Sequence, residues 1–234
     1  YVSTNINGTL NMLEAARIAK IENFIHTSTS EVYGSAQKIP IDESHPLQPQ
    51  SPYSASKMSA DHLALSYYNS FDHFPVSIAR PFNTYGPRQS PRAIIPHIIL
   101  QLINGETEIK LGNKSPTRNL NFVLDTCQGF IKIAETDSLI GKITNIGSEK
   151  EISMGELFNL INKLMGTDAT WKTETIRERP LSSEVNRLSC DNTQLLKHTG
   201  FSPKTRLTDG LTETINWFSK NINIETIKFN HYFL

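Results

Sequence analysis

The sequence predicts an α/β chain, a doubly wound parallel sheet joined to a smaller mixed α/β lobe. Three observations carry that expectation. Amphipathic helical segments alternate with short apolar runs through the first 90 residues. Polar stretches rich in turn residues stand where those apolar runs end, as they do at the carboxyl edge of open parallel sheets. Beyond Pro91 the texture changes, with longer helical patterns and shorter strands.

Taken in order, Ile6, Leu10, Leu13 and Arg17 recur at helical spacing in INGTLNMLEAARIAK and predict the first helix. IENFIHTSTS then reads as a strand buried in a parallel sheet. DESHPLQPQSP carries too much proline for regular structure and is expected to be a surface loop. A second helix is expected from Tyr53 to Phe71, then the strand VSIARPF, then NTYGPRQSP as turns. In the second half, PRAIIPHIILQLING predicts a helix stopped by Gly105, followed by a short strand from Ile109 to Leu111. FVLDTCQGFIKIAE reads as a helix and KITNIG as a strand returning to the main sheet. ISMGELFNLINKLMG opens with Ser153 and Glu156 at capping-box spacing and should bury Leu157, Leu160, Ile161 and Leu164. LTETINWFSK is the last helix expected.

Composition excludes several classes of function. Lys plus Arg equal Asp plus Glu at 23 each, so no net field favours nucleic acid or an anionic membrane. The 38% apolar content falls in periodic segments, which argues against disorder. No apolar run is long enough to span a bilayer and no signal peptide is visible, so a soluble cytoplasmic protein is expected. Cys127 and Cys190 stand alone and are expected to be free, buried thiols. His26, His45, His62, His73 and His97 show no metal-ligand spacing, and no metal site is expected. No G-x-G-x-x-G or looser glycine-rich phosphate loop occurs anywhere.

Chemistry concentrates in HTSTSEVYG, residues 26–34, where hydroxyls, a carboxylate and a phenol crowd the end of a strand. Tyr53 and Lys57 follow, four residues apart on one helix and therefore on one face. An ammonium beside a phenol favours phenolate, which can take a proton from an alcohol while a hydride leaves the same carbon. By itself YxxxK recurs on many exposed helices; here it follows the hydroxyl cluster at a strand's carboxyl end.

Strand, hydroxyl cluster, loop and SPYSASK, in that order, resemble the extended branch of the short-chain dehydrogenase/reductase superfamily, the NAD-dependent nucleotide-sugar epimerases and dehydratases. RPFNTYGPR, PTRNLNFVLDT, NIGSEKEIS and RERPLSSEVNRLSCDN continue the likeness to about Trp217. The resemblance implies a partial NAD-binding Rossmann domain over residues 1–90, its first βαβ units and glycine loop lying outside this chain, with 119–148 returning to it. It implies a nucleotide-sugar-binding lobe over 91–118 and 149–220, and leaves 221–234 as a tail.

Thr29-Ser30-Glu31 resembles the tripeptide of the 4,6-dehydratases, with Ser30 standing where many members carry an acidic proton donor. The implied reaction is oxidation at C4 of the sugar, loss of water across C5 and C6, and hydride return to C6. Tyr53 would be the base at the C4 hydroxyl and Thr29 a hydrogen-bond partner of its oxygen. Glu31 would remove the C5 proton, with Glu31 or a water beside Ser30 protonating the leaving hydroxyl. Lys57, Tyr53 and Ser28 would border NAD. Asn83, Arg118 and Arg179 would grip the substrate diphosphate and sugar, while Arg80 is as well read as a structural ion-pair partner. RPLSSEVNRLSCDN resembles the dehydratases of the legionaminic acid pathway, which implies UDP- or GDP-N-acetylglucosamine as substrate. The family also implies a homodimer built on the first two helices. The alternatives are a decarboxylase or 4-epimerase of the same family, the latter disfavoured by Glu31, or a non-catalytic fragment unable to bind NAD alone.

Overall fold

A computed structural model describes residues 1–148, 150–177 and 185–221. A wide turn of π-helix over Val2–Asn7 leads into α1 (Gly8–Ala19), followed by β1 (Phe24–Thr27), a 3₁₀ turn over Ser30–Tyr33 and α2 (Pro52–Ser70). Then come β2 (Val76–Pro81), β3 (Thr84–Tyr85), α3 (Ile94–Ile103), β4 (Glu108–Leu111), β5 (Thr117–Asn119) and β6 (Asn121–Phe122). The chain continues through α4 (Val123–Ala134), β7 (Ile143–Ile146), β8 (Glu151–Ser153), α5 (Met154–Met165) and β9 (Thr170–Thr173). It closes with β10 (Arg187–Leu188), α6 (Thr193–Thr199) and α7 (Leu207–Asn221).

The main sheet has the order β1-β2-β7 and is parallel throughout, with Phe24 opposite Val76 and Ile78 opposite Ile143. Side chains alternate along β2, so Val76 and Ile78 meet α1 and α2 through Leu13, Ala16, Ala64 and Tyr67. Ala79 faces the other way, into a cluster with Ile133 of α4, Ile146 and Leu195 of α6. Helices on both faces make this the doubly wound arrangement that the alternating pattern predicts. The lobe has its own core, where α3, α5 and α7 pack Ile95, Ile98, Ile99, Leu157, Ile161, Leu211 and Phe218 against β4, which pairs with β9.

The start of α2 is set locally. Ser51 is extended, its Oγ accepts the Ser54 amide at 3.1 Å, and Ser54 Oγ accepts the Ser51 amide at 3.0 Å. Pro52 at the first helical position gives up no hydrogen bond. Small residues on the inner face, Ser54, Ser56, Ala60 and Ala64, let the helix lie close to the sheet.

Four sequence expectations are corrected. NTYGPRQSP is not all turn, because Thr84 and Tyr85 pair in parallel with Asn121 and Phe122. Residues 193–199, read as part of the lobe, form a helix that packs on the main sheet through Leu195. Cys127 is exposed on α4, whose buried positions are Thr126, Gly129 and Ile133; only Cys190 is buried, and neither forms a disulfide. Leu160 and Leu164 are partly rather than fully buried, and Phe158 takes the deeper place on α5. No helix among the described residues is long and apolar enough to cross a membrane.

Candidate active site

β1 stops at Thr27, and the chain then turns across the carboxyl end of the sheet. Thr29, in extended conformation, caps the short turn that follows by accepting the Glu31 amide on Oγ1 at 3.3 Å. The turn therefore holds Thr29 and Glu31 half-exposed on either side of Ser30, which is 2% exposed. Tyr53 lies in the first turn of α2, facing this segment, with the ring of Tyr1 edge-on at 5.8 Å.

The electrostatics of Tyr53 confirm this neighbourhood. Burial pushes its phenol above the usual tyrosine range, and the negative charge of Glu31 pushes it further; a hydrogen bond with the Thr29 side chain pulls it back. Thr29, Glu31 and Tyr53 thus form one cluster. Lys57 Nζ donates to the Thr27 carbonyl oxygen at 2.6 Å. Burial pushes the Lys57 ammonium down, and Asp61, one turn further along α2, opposes that. Lys57 also borders an open pocket of about 330 Å³ shared with Thr4, Asn5, Thr9, His26 and Thr27. Ser28 is buried, its hydroxyl directed to Asp61 at 2.7 Å.

A second cavity, also about 330 Å³, opens between the end of the main sheet and the lobe. Asn83 and Arg118, both expected from sequence, line it together with Arg92, His97 and Arg177, which were not. Arg118 Nη1 donates to the carbonyls of Thr117 and Val185 at 2.9 and 2.7 Å. Arg177 is held by Glu174, at 2.8 Å, and by His97 Nε2, at 3.2 Å. Burial, and then the Arg177 charge, push His97 below the usual histidine range, which suits it to accept from the guanidinium. The side-chain oxygens of Asn83 and Gln89 are buried there without a protein donor among the described residues. An arginine two residues before the expected Arg179 was the available signal for Arg177; Arg179 itself lies outside the described residues.

Arg80 belongs to neither cavity. It is 1% exposed and donates through Nε and Nη2 to Asp61, so the structural alternative is the correct one. Among the described residues no group of three or more His, Cys, Asp or Glu side chains is arranged to hold a metal ion.

Comparison with known proteins decides the family. The family described as GDP-mannose 4,6 dehydratase matches residues 1–214. The chain belongs to this family. It is 36% identical over 222 residues to a dTDP-glucose 4,6-dehydratase of Streptomyces griseus, covering 94% of this chain and 66% of that protein. It is 32% identical to human dTDP-D-glucose 4,6-dehydratase over 228 residues, 95% of this chain and 64% of the relative. Among solved structures, dTDP-glucose 4,6-dehydratase from Bacillus anthracis in complex with NAD superposes with a TM-score of 0.83 at 31% identity. It matches 93% of this chain and 68% of that one. UDP-glucuronic acid 4-epimerase from Bacillus cereus, in complex with UDP-glucuronic acid and NAD, gives 0.87 at 30% identity, over 94% and 68% of the two chains. The chain therefore spans about two thirds of the length of these relatives.

Proposed function

We propose that this chain carries the acid–base residues and the substrate lobe of an NAD-dependent nucleotide-sugar 4,6-dehydratase. The observation that carries the reading is Glu31 beside Tyr53 and Thr29: a carboxylate next to a phenol supplies the second base that dehydration needs and 4-epimerisation does not.

The residues present fit the nicotinamide-ribose end of NAD. The Thr27 carbonyl takes one of the three N–H donors of Lys57, whose ammonium borders an open, hydroxyl-lined pocket. The pyrophosphate end finds no glycine-rich loop in these 234 residues. NAD, when bound, supplies the hydride acceptor at C4 and the hydride donor at C6. Tyr53 takes the proton of the C4 hydroxyl, and the Thr29 hydroxyl hydrogen-bonds the same oxygen. Glu31 removes the C5 proton, acidified by the neighbouring ketone. With Ser30 nearly closed to solvent, Glu31 then returns that proton to the departing C6 hydroxyl, so one carboxylate serves as base and acid in turn, and the proton that Tyr53 took at C4 is the one C5 regains when hydride adds at C6. Asn83, Arg118 and Arg177 line the cavity for the diphosphate and sugar, where guanidinium groups fork onto phosphate oxygens.

The relatives are named for dTDP- and UDP-activated glucose, which supports a nucleoside diphosphohexose as substrate. The reading of N-acetylglucosamine rests on the likeness of RPLSSEVNRLSCDN, of which residues 178–184 lie outside the described part. A 4-epimerase is the second reading, supported by the fold match to the Bacillus cereus enzyme. One experiment separates these. The protein carrying this chain is incubated with NAD and, in separate reactions, dTDP-glucose, UDP-glucose and UDP-N-acetylglucosamine, with product followed by mass spectrometry. Loss of one water from one of the three is expected. An isomer of unchanged mass would replace this reading with the epimerase.

A further inference from the structure

Asp61 follows Lys57 by one turn of α2 and is 1% exposed. A lone carboxylate at that depth would give up its charge. Burial does push it towards the neutral form, but the surrounding donors and the Arg80 charge outweigh burial and hold it below the usual carboxylate range. Arg80 Nε and Nη2 reach Oδ2 at 3.0 and 2.9 Å, and Ser28 Oγ reaches the same oxygen at 2.7 Å. His26 Nε2 stands 3.2 Å from Oδ1. The Arg80 guanidinium in turn lies over the Tyr33 ring, 4.9 Å from its centre. The groups facing Asp61 are therefore His26 from β1, Arg80 from β2 and Lys57 from its own helix.

A core ion pair could exist for the fold alone, but two of these neighbours belong to the site. Ser28 separates the end of β1 from Thr29. Its amide donates to the Ala79 carbonyl at 2.8 Å and its hydroxyl to Asp61, so it is clamped between β2 and α2. Lys57 is half-buried, and Asp61 is the group that opposes the loss of its charge.

We propose that Asp61 is a positioning residue for this site. Through Ser28 it fixes the strand end that presents Thr29 and Glu31, and from one turn below it supplies the counter-charge of the Lys57 ammonium. The proposal rests on reading Thr29, Glu31 and Tyr53 as the reacting groups and Lys57 as a contact of NAD, but its tests use no cofactor, sugar or turnover, so it can fail while the dehydratase reading stands.

Competitive acetylation, read peptide by peptide by mass spectrometry, gives the ionisation midpoint of Lys57 in the purified protein. In Asp61→Asn that midpoint is expected to move to lower pH while those of the more exposed Lys38 and Lys132 stay in place. Because this variant leaves Arg80 buried without its counter-charge, Asp61→Asn/Arg80→Gln is measured beside it, with a smaller movement in the same direction expected because loss of the guanidinium charge favours the ammonium. An unchanged Lys57 midpoint in whichever of the two keeps the native circular dichroism overturns the electrostatic half. Ser28→Ala removes one hydroxyl and no charge. It is expected to speed amide exchange across residues 28–31 by about fivefold, as loss of one net hydrogen bond implies, and to leave β2 unchanged. Unchanged exchange there overturns the positioning half.

Discussion

The Tyr53 phenol holds its proton more firmly than a free tyrosine does, first because it is half-buried and then because Glu31 lies beside it. The sign of that second effect can be tested, since removing the carboxylate's charge favours phenolate. In Glu31→Gln the ultraviolet titration of Tyr53, isolated by difference from Tyr53→Phe, should move to lower pH. Dehydration in the same variant should fall by at least about 10²-fold, the usual scale of a lost general base, while NAD binding is retained. A variant that still eliminates water at the parent rate would remove Glu31 from the mechanism. The two readouts are independent, because the first needs only proximity and the second needs the chemistry.

At the scale of the element, α2 matters most, because one helix carries Tyr53, Lys57 and Asp61 at successive turns. Its first turn depends on the reciprocal bonds between Ser51 and Ser54, two and one residues from Tyr53. Ser51→Ala should cost about 1 kcal/mol of unfolding free energy in urea titration, the usual worth of a cap. The bounds of this helix were legible in the sequence to within a residue, because Ser-Pro starts it and Pro75 follows its end; Asp72 and His73 adopt left-handed backbone just beyond it. The Ser153–Glu156 capping box was legible in the same way and is formed. What escaped the sequence depends on partners distant along the chain. Arg80 finds Asp61 on another element, Lys57 finds a backbone carbonyl of β1, and Thr84–Tyr85 is a strand only because residues 121–122 lie alongside. A seven-residue helix such as α6 carries too short a pattern to reveal which core it joins. Glu43 shows what such distant partners do to a titrating group. Its Oε1 accepts the Asn145 amide at 2.8 Å, and burial raises its carboxyl above the usual range. A carboxyl raised by folding adds stability below its unfolded pKa and loses it as pH rises through the folded one. Glu43→Gln keeps an acceptor for Asn145 and does not titrate. Its melting temperature should therefore gain on the parent between pH 4 and pH 7, and a gap independent of pH would contradict the assignment.

At the scale of the whole molecule, the pairing of α1 with α2 makes a layer on one side of the main sheet, bound inward through Leu13, Ala16, Ala64 and Tyr67. Its outer surface is less settled: Leu10 and Ile18 of α1 and Phe71 at the end of α2 are 39, 72 and 42% exposed. Single exposed apolar side chains are ordinary, but several on one pair of helices call for a partner surface. The homodimer that the family resemblance implies would supply one, since two copies of this pair would bury those side chains in a four-helix arrangement related by a two-fold axis. Sedimentation equilibrium at micromolar concentration should then give twice the mass of the chain. Leu10→Glu/Ile18→Glu places two charges on that surface without touching the core, so the mass should halve while the far-ultraviolet circular dichroism is kept. A parent protein that sediments as a monomer would instead leave this surface to another occupant, and would separate the chemistry of Tyr53 and Glu31 from any requirement for a second copy.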